Sequence, residues 1–246
     1  VTGVQTCALP IYTIILLIAA LVSASGCYKR NPEVKPFVRT AQPSEYLKSE
    51  ELPKAYDPRN IDGVSYVSVT KNQHLPQYCG SCWAFSAASA ISDRLRLMTK
   101  GAWPTQELSP QVIVNCADTA SGCHGGDMLS AYKMMKEMGV PDEGCMRYTA
   151  NDNECTDFNI CRDCGHDTPC HAVQNFTKYY VEEYGYVTGE ENMMKELYAR
   201  GPITCAIAVP DDLLAYKGGI YKDESGTTAL EHAISVVGWG EENGEK

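Results

Sequence analysis

The sequence predicts an α+β fold in which helices fill the first half of the folded region and strands the second. Four segments carry helix start and stop signals before residue 202. Two runs rich in apolar residues, 203–209 (ITCAIAV) and 233–237 (AISVV), are typical of buried strands. Because helices precede strands instead of alternating with them, the pattern favours segregated halves over a parallel α/β sheet.

The four predicted helices differ in how they begin. The first follows Cys82, is rich in small residues that allow close packing, and stops at Gly101. The second starts at the capping Ser109, which is followed by a proline suited to a first helical turn. The other two span about residues 127–138 and 190–200, and each is followed by a glycine.

Composition excludes some functions and indicates an exported protein. The 246 residues carry a net charge of −10, so a nucleic-acid partner is not expected. Twelve cysteines indicate an oxidising compartment. The apolar run 13–22 has the length of a signal-peptide core and leads into small residues. We therefore predict a signal peptide at 12–26 and no stable membrane insertion after its removal.

The chain divides into four parts. Residues 1–11 (VTGVQTCALPI) resemble a translated sequencing adapter, so no function is assigned to them. Residues 27–51 are polar, dotted with proline and without periodicity, which predicts a linker or short propeptide. Packed structure is expected to begin near Leu52 and to occupy 52–246. Within it, Asn175 begins a glycosylation sequon that is usable only in a secretory compartment.

Three interpretations compete for Cys79 and Cys82 in the stretch NQHLPQYCGSCWAF. A thiol oxidoreductase would use the two thiols as a reversible disulfide at a helix N-terminus. A zinc site would need further ligands, which the Cys161/Cys164 pair or the neighbours Cys170 and His171 could supply. In the third, Cys82 is a nucleophile, and Cys79 has a separate structural role.

A nucleophilic thiol needs a lowered pKa, which a helix N-terminus and an adjacent imidazolium provide. Cys82 lies at the predicted start of the first helix. Of the five histidines, His232 enters a buried strand and follows Cys82 by 150 residues, close to the ~130–150 separation found between nucleophile and base in one class of cysteine enzymes. His166 and His171 lie in a cysteine-rich loop, and His124 in a glycine-rich turn, where exposed side chains are expected.

Four motifs, in order, resemble the signatures of the papain-like cysteine proteases: CGSCWAF at 79–85, GCHGG at 122–126, GPITCAIAV at 201–209 and EHAISVVGWG at 231–240. The resemblance extends from about Leu52 to the C-terminus. It implies a two-domain fold with a helical left domain that bears Cys82. A β-barrel-like right domain would bear His232, and substrate would bind in the cleft between the two.

The resemblance also implies roles for individual residues. Cys82 would be the nucleophile and His232 the general base and acid. The backbone N–H of Cys82 and a Gln side chain would form the oxyanion hole, where each donor typically contributes ~3–4 kcal/mol. Gly125 and Gly126 would pair with substrate backbone, and no cofactor is required.

The position of the oxyanion glutamine and the tripeptide His74-Leu75-Pro76 narrow this identification to one group within the family. The family's usual position, six residues before the nucleophile, holds Pro76, so Gln73 and Gln77 are the candidates. A three-residue insertion would restore Gln73 to the pattern. This insertion and the segments LPKAYDPRNIDG, KGAWP and NFTKYY resemble the cathepsin X (cathepsin Z) group of the family.

That resemblance implies a carboxypeptidase that removes single residues from peptide C-termini. The inserted loop would block the cleft on the primed side, beyond the scissile bond, and His74 would bind the terminal carboxylate. A monomer in the lysosome or outside the cell is expected.

The resemblance further implies a latent disulfide between Cys27 and the catalytic Cys82. The remaining implied disulfides are Cys79–Cys123, Cys116–Cys155, Cys145–Cys161 and Cys164–Cys170.

The family's third catalytic residue, an Asn in an N-S-W-G motif, would follow residue 246. We therefore expect the catalytic domain of this chain to be incomplete at its C-terminus, and the chain itself to have weak or no activity. The first alternative is a catalytically impaired homologue that acts as a binding module. The second is a thiol oxidoreductase that uses Cys79 and Cys82.

Overall fold

The structure is a computed structural model that describes residues 26–245. The predicted adapter segment and all but the last residue of the predicted signal peptide lie outside this range. No helix within it is both long and apolar enough to cross a membrane. In chain order the elements are α1 (Pro43–Tyr46), a 3₁₀ turn (Ser49–Glu51), α2 (Cys82–Met98), α3 (Pro110–Cys116), α4 (Met128–Glu137), α5 (Asp157–Ile160), β1 (Arg162–Asp163), β2 (His171–Ala172), α6 (Glu190–Arg200), β3 (Ile203–Ile207), α7 (Asp211–Leu214) and β4 (His232–Val236).

The α+β prediction is confirmed, and the four predicted helices correspond to α2, α3, α4 and α6. Ser109 caps α3 by accepting the N–H of Val112, and Asp127 caps α4 by accepting the N–H of Leu129 at 3.0 Å. Helix α2 is the centre of the core and packs against α3, α4, β3 and β4. Met98, the last residue of α2, is exposed.

Strands β3 and β4 form an antiparallel pair in the second half of the chain. The register joins Ile203 to Val236 at one end and Ile207 to His232 at the other. Strand β3 ends two residues before the end of the apolar run that predicted it, and β4 has the predicted length but begins and ends one residue earlier. Since α2 packs directly on both strands, this register brings the first residue of β4 close to the first turn of α2.

A buried ion pair connects α2 to the start of β3. The guanidinium of Arg94 donates to the Glu196 carboxylate on α6 at 3.1 Å, with both side chains almost fully buried. The same guanidinium donates to the carbonyls of Gly201 and Pro202, at 3.1 and 2.8 Å. These bonds satisfy the buried charge and fix the turn from α6 into β3.

Residues 26–51 correct the expectation that packed structure begins near Leu52. Cys27 and Val34 are buried, and Phe37 exchanges backbone hydrogen bonds with Tyr184. The Glu183 carboxylate accepts the N–H groups of Arg39 and Thr40. The sequence of this segment has no hydrophobic periodicity, because the segment contains only short helical turns. Its individual residues instead contact different parts of the chain.

Asp93 on α2 generates a prediction about stability. Its Oδ1 accepts the Ser68 N–H at 2.6 Å, while its buried Oδ2 has no hydrogen-bond partner among the described residues. Burial raises the pKa of Asp93 to about 6. The folded state therefore binds this proton more tightly than the unfolded chain, and stability is lost as pH rises through about 6.

We predict that Asp93→Asn, which keeps the Oδ1 acceptor, stabilises the chain by up to about 3 kcal/mol at pH 7.5. Most of this gain should disappear at pH 4, where the wild-type carboxyl is protonated as well. Thermal unfolding at the two pH values measures the difference, with the exposed Asp167→Asn as control. An equal effect of Asp93→Asn at both pH values would contradict the assignment.

Candidate active site

Cys82 is the first residue of α2 and is bonded to Cys27 in a disulfide whose Cα atoms lie 5.9 Å apart. The carbonyl of Ser81, the N-cap residue, accepts the N–H groups of Ala84 and Phe85. The first turn contains no acidic residue, so the positive end of the helix dipole is not neutralised there. A thiol released at this position would have a stabilised thiolate.

His232 lies beside this disulfide at the start of β4. Its Nδ1 is 3.4 Å from the Cys27 Sγ. Burial, and to a smaller extent the charge of His74, lowers the pKa of His232. The imidazole is therefore neutral at neutral pH in this disulfide-bonded state and has the form that accepts a proton.

The two candidate oxyanion glutamines point in different directions. Gln73 lines a cavity of about 670 Å³ together with Cys82 and His232, and its side-chain amide donates to the Cys79 carbonyl at 3.1 Å. The Gln77 amide instead donates to the Ala150 carbonyl at 3.2 Å. Of the two glutamines, only Gln73 lines the cavity that contains Cys82 and His232.

The N-terminal segment crosses the site as an added strand. Lys29 donates its N–H to the Gly126 carbonyl at 2.9 Å, and Gly126 donates to the Cys27 carbonyl at 3.1 Å. On the other side, the Tyr28 N–H donates to the Glu231 carbonyl at 3.0 Å.

Close approach explains the glycines of this wall. A Cβ at Gly125 would lie 3.0 Å from the Cys27 carbonyl oxygen, and one at Gly126 only 2.7 Å from the ring of Trp83. Trp83 itself is fully buried beneath the site, with its indole N–H bonded to the Gly122 carbonyl. Residues 27–29 pair with the backbone of Gly126.

His74 lies in the loop before Cys79 and shares a cavity with Cys27 and His232. Its ring stacks on Tyr78 with centroids 4.7 Å apart, and its Nδ1 accepts the Cys79 N–H at 3.4 Å. A neutral ring with Nδ1 as acceptor carries its proton on Nε2, which leaves Nε2 as a donor. His74, Gln73, Cys27 and His232 line one cavity of about 260 Å³.

The other cysteines named from the sequence also lie in disulfides. These are Cys79–Cys123, Cys116–Cys155, Cys145–Cys161 and Cys164–Cys170. Cys79 is therefore bonded away from Cys82, not to it as a thiol oxidoreductase would require. The cysteines considered for a zinc site are likewise oxidised.

The remaining sequence candidates lie at the surface or in the Cys27–Cys82 disulfide. Asn175 is exposed, as is the imidazole of His124, which forms an ion pair with Asp152 at 3.2 Å. Among the described residues, Cys27, Cys82 and His232 form a cluster that could hold a metal ion, with ligand atoms within 4.8 Å of one another. Both sulfurs of this cluster are consumed by the disulfide.

Sequence reasoning missed two residues at the site. The Tyr148 hydroxyl donates to the Gln73 carbonyl at 2.7 Å and contacts the Ser81 hydroxyl at 2.6 Å, so it holds the Gln73 loop against the start of α2. No local pattern marks this tyrosine in its cysteine-rich loop. Glu231 lines the same cavity as His74. The sequence shows that Glu231 precedes His232, but it does not show that Glu231 lines this cavity.

Comparisons with known proteins agree with this geometry. The family model of papain family cysteine proteases matches residues 52–246. Cathepsin Z of Onchocerca volvulus is 43% identical over 218 residues, covering 87% of this chain and 70% of that protein. Cathepsin B-like cysteine proteinase 1 of Ostertagia ostertagi is 30% identical, covering 82% of this chain and 66% of that protein.

Two solved zymogen structures are also similar. Digestive procathepsin L 3 of Tenebrio molitor larval midgut aligns with a TM-score of 0.67 at 25% identity, over 90% of this chain and 64% of that one. Procathepsin B S9 of Trypanosoma congolense aligns with a TM-score of 0.67 at 28% identity, over 89% of this chain and 72% of that one. The family match, the relatives and the fold agree, and the chain belongs to the papain family of cysteine proteases.

Proposed function

We propose that the full-length protein is a cysteine carboxypeptidase that removes single residues from the C-termini of peptides and proteins. The observation that carries the proposal is the position of His74. It borders the same cavity as Cys27 and His232. The similarity to cathepsin Z of Onchocerca volvulus supports it.

The chemistry begins with Cys82 as a thiolate and His232 as an imidazolium. The sulfur attacks the scissile carbonyl carbon, and the carbonyl oxygen becomes an oxyanion held by Gln73 and the N–H of Cys82. As the C–N bond breaks, His232 gives its proton to the leaving amine. Water then attacks the thioester and gives a proton to His232, and the released acid leaves Cys82 free.

Specificity for chain ends follows from the loop that contains His74. Substrate residues before the scissile bond would pair with the Gly126 backbone, where residues 27–29 now bind. The residue after the scissile bond would enter the His74 cavity, whose volume of about 260 Å³ suits a single residue. The Nε2–H of His74 would donate to the terminal carboxylate, a charge-assisted hydrogen bond that an amidated end cannot make.

We further propose that residues 27–51 are a propeptide and that residues 52–246 form the catalytic domain. Residues 27–29 occupy the substrate-pairing backbone of Gly126, and Cys27 blocks the nucleophile. A dithiol reductant would convert this disulfide to two thiols and be oxidised itself. A monomer, N-glycosylated at Asn175 in the secretory pathway and acting in the lysosome or outside the cell, completes the proposal.

His74→Ala tests the exopeptidase assignment. In the full-length reduced protein we predict a loss of at least tenfold in kcat/KM on peptides with a free C-terminus, since a charge-assisted hydrogen bond is lost. Hydrolysis of the same peptides with amidated ends should change little. Both series are measured by chromatographic quantification of products. An equal loss on both would refute the carboxylate role of His74.

The disulfide generates a second prediction. An epoxide thiol inhibitor should alkylate Cys82 in the full-length zymogen only after reduction, and in Cys27→Ser without reduction, because the mutation leaves Cys82 unbonded. Peptide mapping locates the label. The control Cys164→Ser, which breaks a distant disulfide, should leave Cys82 protected. Labelling of Cys82 in the unreduced wild-type zymogen would contradict the latch.

A further inference from the structure

We propose that Glu231 gives the His74 cavity a preference for C-terminal lysine and arginine. This inference deepens the proposed function, because it names the substrate class of the site that His74 borders. It depends on Glu231, whose carboxylate no hydrogen bond or ion pair engages among residues 26–245.

The backbone holds Glu231 at the wall of the cavity. Its N–H donates to the Ile207 carbonyl at 3.0 Å, just before β4 begins at His232. Its carbonyl accepts the Tyr28 N–H at 3.0 Å. Glu231 and its neighbour His232 border the same cavity.

The cavity combines apolar residues with an anionic one, as a basic side chain needs. Val209 and Leu214 supply apolar surface for methylene groups. Glu231 supplies a negative charge for an ammonium or guanidinium group. His74 would bind the terminal carboxylate. The carboxylate and the ammonium group of a C-terminal lysine would then each have its own partner.

The surroundings reinforce the negative charge. A neighbouring open cavity is lined by Asp211, Asp212 and the same Glu231. No lysine or arginine among the described residues lines either cavity. A cationic side chain is therefore attracted, and a C-terminal aspartate or glutamate is repelled.

The test compares peptides that differ only in the last residue: lysine, the uncharged norleucine of similar length, and glutamate. We expect the full-length reduced protein to show a kcat/KM about fivefold higher for lysine than for norleucine, the size of a half-exposed ion pair. Glutamate should be the poorest. In Glu231→Gln the lysine-to-norleucine ratio should fall to about one, and in Glu231→Lys glutamate should become the best of the three.

The ratio cancels any general effect of these variants on the adjacent His232. Asp212→Asn, which removes a nearby carboxylate outside the His74 cavity, is the matched control and should keep most of the lysine preference. Equal rates on lysine and norleucine in the wild type, or an unchanged ratio in Glu231→Gln, would overturn the proposal.

The same peptides with amidated ends separate this inference from the proposed function. If amidated peptides are cleaved as well as free ones, the carboxypeptidase assignment fails. The lysine-to-norleucine ratio within the amidated series still reports on Glu231.

Discussion

The disulfide between Cys27 and Cys82 is the constraint on which the arrangement of the site depends. It joins the N-terminal segment to the first residue of α2, across 55 residues of sequence. In the chain-entropy model, closing a loop of this size contributes about 4 kcal/mol to stability. Residues 27–29 then form backbone hydrogen bonds with Gly126 on one side of the cleft and with Glu231 on the other. The blocked nucleophile and the filled cleft are thus one structural feature.

The relation between Cys82 and His232 depends on packing deeper in the molecule. Arg94, in the C-terminal part of α2, binds Glu196 and the carbonyls that lead into β3. Strand β3 sets the register of β4, and β4 begins with His232. A buried guanidinium without these partners would be costly, so the connection from helix to strand is tightly specified. The proposed nucleophile and base are thus connected through this ion pair and the strand pair that follows it.

Much of this architecture was predictable from the sequence, since caps, glycine stops and apolar runs are local signals. Ser109 and Asp127 cap helices through hydrogen bonds to residues two or three positions later, so their effect is local. The N-terminal segment was not predictable as packed structure, because Phe37 and Cys27 bind partners more than 50 residues away and leave no periodic pattern. Choosing Gln73 over Gln77 depended on a motif resemblance, and the structure adds the direction of each amide. Tyr148 and Glu231 required three-dimensional contacts, which no spacing encodes.

In the proposed function, a single reduced thiol site removes residues one at a time from a chain end. Time-resolved mass spectrometry of a ten-residue peptide incubated with the reduced full-length protein tests this directly. We expect a ladder of products, each one residue shorter than the last at the C-terminus, and an intact N-terminus throughout. Internal fragments that appear before the ladder would contradict it.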